Sequence, residues 1–254
     1  MKKIFLIFKN NKLNLAKAVV IDFIFYIFFM IITFLFSDKF YQKFETLNNT
    51  ISNVFIDNGT LPTDVLNKLS NVSNILNEML WIIILYLFLV FLVFGLFQGL
   101  IWLISKNIIK NKSAFNNINL DYILDFYLLN LIWFVLLGCF IYGVYKFFNL
   151  ETNMLFIVIP FVLLFYFWNI SLSSFVLKNK VIGSFVNCFN LGRKIILIIP
   201  FIFLVVSVFL IGFLSNLNNN SFISIILLLL LLLVVLIFRV YLLILVEKYA
   251  GDML

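Results

Sequence analysis

Asp121 and Asp125 are the two residues whose type and spacing come nearest to catalysis in this chain. Four positions apart, they share one face of a helix and could hold a Mg²⁺ bound to a phosphate. Little else in the sequence supports enzymatic chemistry. There is no histidine, which removes Ser-His-Asp and Cys-His nucleophile pairs and His-ligated zinc and haem. Cys139 falls in an apolar run and Cys188 in a basic connection, so the two thiols belong at different membrane depths and imply neither a disulfide framework nor a metal cluster. No Walker A or GxGxxG stretch occurs. No cofactor and no metal is expected.

The other candidate residues are polar side chains inside apolar stretches: Asp22, Gln98, Asn130, Asn169 and Arg239. An ionisable group in lipid costs several kcal/mol unless it is paired or wet, so each is a functional candidate. With Asp121 and Asp125 they all fall toward the same ends of their stretches, and the opposite halves are nearly pure Phe, Leu, Ile and Val. Two readings follow. They line a polar vestibule closed on the far side, or Asp and Arg reach the nearby interface while Gln98, Asn130 and Asn169 bond between helices. An Asp22 or Asp125 pair with Arg239 is compatible with both. Gly95 and Gly99, four apart, form a small-residue face that lets a helix pack closely.

These residues need helices in a membrane to position them. Of 254 residues 65% are hydrophobic and 11% charged, with Phe at 34 positions and a mean hydropathy of +1.17; a soluble domain carries about 25% charged residues. The class is therefore an all-α polytopic membrane protein, read as a single membrane domain. Six apolar runs reach spanning length, about 20 residues: 18–36, 80–104, 120–148, 154–177, 195–214 and 222–238. Residues 1–17 hold five lysines around Ile4–Phe8, and read as an amphipathic segment with Phe5, Ile7 and Phe8 in the lipid boundary. The Leu227–Leu233 run, without a polar side chain, faces lipid. Asparagine is abundant throughout, so asparagine-rich loops are expected to carry little functional weight.

Charge sets the orientation. Placing the amino terminus in the cytoplasm puts 14 of the 18 Lys and Arg residues inside, with a net charge of +9 there and −2 outside. This obeys the positive-inside rule at each loop, so both termini are expected in the cytoplasm of a cell-membrane protein. The basic balance is then met by anionic lipid headgroups, and no nucleic acid is expected as a partner.

The one long connection, 37–79, carries helical apolar stripes: Phe40, Phe44, Leu47, Ile51 and Val54, then Val65, Leu66, Leu69, Val72, Leu76 and Met79. Between them lie the turn signal Asp57-Asn58-Gly59 and Pro62. The pattern predicts an extracytoplasmic helical hairpin, either projecting or lying on the membrane, and a surface where a protein partner could bind.

Three basic connectors, Lys9-Asn10-Asn11-Lys12, Lys110-Asn111-Lys112 and Lys178-Asn179-Lys180, each precede an out-and-back pair of spans. They suggest a threefold helix-hairpin repeat, each unit with a cytoplasmic interfacial helix. After the third connector come Gly183-Ser184-Phe185, Phe189-Asn190-Leu191-Gly192-Arg193-Lys194 and a span with Pro200. This segment, about 35 residues, resembles the connector of uncharacterised six-span membrane families of archaea and bacteria, including the membrane domain attached to some glycerophosphodiester phosphodiesterases. It departs from their pattern at Asn187 and Asn190, where charged residues are common. The resemblance implies architecture and membrane residence and carries over no catalytic residue.

The functional expectation is a non-enzymatic scaffold or helper in lipid or protein handling. The alternative is an exporter-type permease subunit with an ATPase partner docked on a coupling helix at 105–119. A remoter alternative is a Mg-dependent lipid-modifying enzyme built on Asp121 and Asp125, although membrane prenyltransferases pair their aspartate motifs on separate helices and CDP-alcohol phosphotransferases use three or four acids with glycines.

Overall fold

The computed structural model describes residues 7–56, 62–116, 118–147, 154–216 and 221–251. They are helical almost throughout and contain no strand. The helices are α1 (Lys12–Ile56), α2 (Pro62–Ile109), α3 (Leu120–Phe147), α4 (Met154–Lys178), α5 (Val181–Gly192), α6 (Ile198–Asn216) and α7 (Ser221–Gly251), with a single 3₁₀ turn at Ile195–Leu197. Six of them are long and apolar enough to cross a bilayer, so the chain is a multi-pass membrane protein.

Punctuation in the sequence explains where these helices begin and end. Pro62 is the first residue of α2 and Pro200 the third of α6, positions where the missing N–H has no intrahelical partner to lose. Asn111 and Asn179, the central residues of two Lys-Asn-Lys connectors, close α2 and α4 with φ of 52° and 54°. Asparagine is among the few residues that enter this left-handed region at low cost.

Helices α1 and α2 continue the first two spans without a break, as expected of the hairpin's two arms: at 45 and 48 residues each is about twice the length a bilayer core requires. Another connection differs from expectation. The second connector, 110–116, is turn and coil rather than a coupling or interfacial helix. Among the described residues the third connector carries a separate helix, α5, and residues 7–10 are helical before the turn at Asn11, whereas 110–116 carries no helix. The turn signal at 57–59 and Phe5 lie outside the described residues.

The chain divides into two compact units, Ile24–Phe94 and Met1–Phe23 with Gly95–Leu254. The first is a two-helix hairpin from parts of α1 and α2. Its facing stripes include Phe40, Leu47 and Met79, the last two buried, with Thr33 and Tyr86 sharing a hydroxyl contact of 3.3 Å. Two expected stripe residues face outward instead: Phe44 is 46% and Leu76 50% exposed. Lys43 and Ile75 take the half-buried positions, and Lys43 forms an ion pair with Glu78.

The second unit contains the main core. Trp102, Phe126, Leu129, Ile170, Phe175, Leu191, Leu197, Leu242 and Val246 are buried in it. A neighbouring cluster joins Ile7, Ala18, Ile104, Ile108, Ala114, Leu236 and Val240. Ile7 therefore packs against the protein rather than at the lipid boundary. The C-terminal halves of α3 and α6 and the N-terminal half of α7 contribute few buried side chains, and residues such as Val135, Ile141, Phe209, Phe213 and Ile225 are exposed. Leu227–Leu233 is mixed: Leu229, Leu230 and Leu233 are exposed while Leu232 is buried.

Candidate functional site: a buried Asp–Arg–Gln cluster

Arg239 is not at the end of its helix. The sixth span, expected to end at 238, continues as α7 to Gly251, with Val240, Leu242, Leu243, Leu245 and Val246 all buried beyond it. The run stays apolar to Val246, so nothing in the sequence stops the helix at the arginine. About three turns of helix separate the guanidinium from the end, which leaves it needing partners within the protein.

It has two. Nη1 donates to Oδ2 of Asp22 at 2.6 Å and Nη2 to Oε1 of Gln98 at 2.8 Å. Arg239, Asp22 and Gln98 are all buried, at 6%, 1% and 7% exposure, so the contacts tie α7 to α1 and α2. Asp22 lies five residues past Lys17, Gln98 eight before Lys106 and Arg239 nine before Lys248, roughly 8, 12 and 13 Å along the helix axes at about 1.5 Å per residue. The cluster thus lies below the lysine-bearing ends of its helices. The pair cancels its own charge, and Gln98 satisfies a second guanidinium nitrogen. Asp22 Oδ1 is buried without a partner among the described residues.

Gly95 and Gly99 sit beside this cluster on α2 and are occupied by α3. A Cβ on Gly95 would strike the Tyr127 ring, and one on Gly99 would stand 3.2 Å from Phe126. Tyr122 Oη donates to Gly99 O at 3.1 Å. The close approach expected from the small residues is present, with aromatic rings as the partners.

The remaining candidates lie elsewhere. Asn130 is buried; its Nδ2 donates to Phe126 O and its Oδ1 accepts from Trp168 Nε1 at 2.9 Å, which links α3 to α4. Asn169 bonds back to Phe165 O in its own helix and makes no interhelical side-chain bond among the described residues. Asp121 is exposed and Asp125 half-buried. No third acid or thiol joins them as a possible metal site among the described residues, and Asp125 is not the arginine's partner. Among the described residues, direct hydrogen bonds between the seven candidates join Asp22, Gln98 and Arg239.

The asparagine-rich loops, expected to carry little weight, organise the connectors. Asn11 Nδ2 donates to Asn111 Oδ1 at 2.7 Å, and Asn14 Nδ2 to Lys112 O at 2.9 Å. Asn107 Nδ2 reaches the carbonyls of Ala114 and Asn116, and Asn119 Oδ1 accepts from Tyr122 N at the start of α3. The recurrence of asparagine between lysines in the connectors is the signal that marks this role.

No family model, curated protein or solved structure matches the chain. The geometry alone therefore carries the functional conclusion.

Proposed function

We propose that the chain is a non-enzymatic membrane scaffold, a helper in lipid or protein handling, with both termini on the cytoplasmic side of the cell membrane. The observation that supports this most is the engagement of Arg239 by both Asp22 and Gln98. The intramembrane charges that a carrier would present to a substrate are here committed to joining three helices. A buried ion pair of this kind does not by itself add much stability, and its best-attested use is to fix which elements pair. The hairpin of α1 and α2 supplies a surface for a protein partner. The exporter reading has less support, because 110–116 within its expected coupling helix is turn and coil.

The test is reconstitution of the purified chain in sealed vesicles, with solute efflux and lipid exchange between leaflets measured against empty vesicles. The scaffold reading expects equal rates, and equal rates again with Arg239→Gln. Flux above background that disappears in Arg239→Gln would make the cluster a transport site and overturn the reading.

A further inference from the structure

An apolar groove of about 250 Å³ runs between α4 and α6, lined by Val162, Tyr166, Ile198, Phe201, Ile202 and Val205 among others. Its one polar group is already engaged, since Tyr166 Oη donates to Gly192 O at 3.0 Å. The groove is therefore suited to hydrocarbon. That same hydrogen bond places one end of the groove beside the α5–α6 connector, because the residue after Gly192 is Arg193 and Ile198 follows within six positions. Arg193 is exposed and makes no ion pair or side-chain hydrogen bond among the described residues. Lys194, by contrast, is held against Tyr249, with Nζ 3.4 Å from its carbonyl and 4.7 Å from its ring centroid.

The surroundings of Arg193 belong to a lipid boundary. Helix α5 buries Ser184, Cys188, Leu191 and Gly192 and leaves Ile182, Val186 and Phe189 exposed at 77%, 53% and 41%. These three recur at four and three residues, one apolar stripe on a helix flanked by Lys180 and Arg193, the pattern of an element lying in a membrane interface. Ile195, next to the connector lysine, is 77% exposed as well. Arg193 directly follows the carbonyl that Tyr166 engages, so its backbone lies near one end of the groove and shares the exposed face of Ile182, Val186 and Phe189. An exposed basic residue beside a hydrocarbon groove is complementary to one kind of amphiphile.

We propose that the α4–α6 groove and Arg193 bind one anionic phospholipid, its phosphate held by the Arg193 guanidinium and one acyl chain laid against Tyr166, Phe201 and Ile202. Arginine suits a phosphate because its planar fork donates two parallel hydrogen bonds. The site requires only that the chain sit in a bilayer and is independent of the scaffold reading.

The test is native mass spectrometry of the full chain in neutral detergent, titrated with phosphatidylglycerol or phosphatidylcholine. The expected result is one retained phosphatidylglycerol, bound about fivefold more tightly than phosphatidylcholine, the factor one basic residue is worth at a membrane surface. Arg193→Gln should remove that preference. Ile202→Trp, which fills the groove, should release both lipids, whereas Ile199→Trp, at a 56% exposed position, should change neither; melting temperatures verify that each variant is folded. Equal retention of the two lipids by the unaltered chain would overturn the proposal, as would an unchanged preference in Arg193→Gln. Displacement of the lipid by inorganic phosphate, or retention in folded Ile202→Trp, would show that the groove takes no part and would also overturn it.

Discussion

Arg239 and Asp22, 217 positions apart, meet through an Nη1–Oδ2 contact of 2.6 Å with side chains 8% and 1% exposed. Removing one member leaves the other as an uncompensated buried charge, a loss of about 3–5 kcal/mol in comparable pairs. Arg239→Gln should therefore lower the melting temperature in detergent sharply. The double variant Asp22→Asn with Arg239→Gln should melt above the Arg239→Gln single variant, because no bare charge remains. The Lys43–Glu78 pair, with side chains 41% and 56% exposed, is the solvated control: Lys43→Gln should cost no more than about 1 kcal/mol. If Arg239→Gln and Lys43→Gln melt together, the buried pair does not join the helices.

The approach of α2 to α3 depends on the missing side chain at Gly95. A Cβ there would overlap the Tyr127 ring, and relieving such overpacking typically costs about 1–3 kcal/mol. Gly95→Ala should thus destabilise the protein, and by less when Tyr127→Leu is already present, which a double-mutant cycle reads directly. Gly138, where an added methyl would meet nothing within 4 Å, is the contrast. Gly138→Ala should be neutral or should stabilise the helix by roughly 0.5–1 kcal/mol. Equal losses at both positions would mean that helix propensity, not the ring contact, sets the effect.

Burial pushes the Cys188 thiol from 9.0 up to about 12. The thiolate is the reactive species, so in a Cys139→Ala background Cys188 should resist maleimide at pH 8 in the folded protein and react fully in denaturant. The sign for stability follows from the raised value. The folded state holds this proton more tightly, so the contribution is complete below about pH 9 and is lost as pH rises from there through about 12. Melting temperature should fall more steeply across that window with Cys188 than in Cys188→Ala. Rapid labelling of native protein at pH 8 would contradict the burial.

Much of this arrangement is legible in the amino acids themselves. Spanning helices follow from the length of the apolar runs, and the inward polar residues stand out because a charge in lipid must find a partner. Asp22, Gln98 and Arg239 converge, as an ion pair in a low-dielectric interior requires. Two features are hidden for a physical reason. Hydropathy marks where a chain can enter lipid but not which side chains pack there, so it gives no sign that Val240, Leu242, Leu243 and Val246 beyond Arg239 are buried against the protein. Helical periodicity gives a stripe without its facing. Leu76 and Ile75 are adjacent and both apolar, and only the helix packed opposite decides that Leu76 is exposed.

The distribution of lysines predicts an orientation across the bilayer, and that prediction has a direct test. Gln42 on the hairpin and Ser113 in the second connector are both exposed, and the distribution of lysines assigns them to opposite sides. In a chain lacking Cys139 and Cys188, Gln42→Cys should react with a membrane-impermeant maleimide in intact cells, and Ser113→Cys only after permeabilisation. The reverse pattern would place the lysine-bearing end outside. That result would also move the Asp22–Arg239 cluster toward the outer leaflet and remove the attraction of the basic ring to cytoplasmic acidic lipid. Labelling of both positions in intact cells would mean that the chain does not seal the two ends from one another, which the long apolar helices exclude if they cross the bilayer as their lengths require.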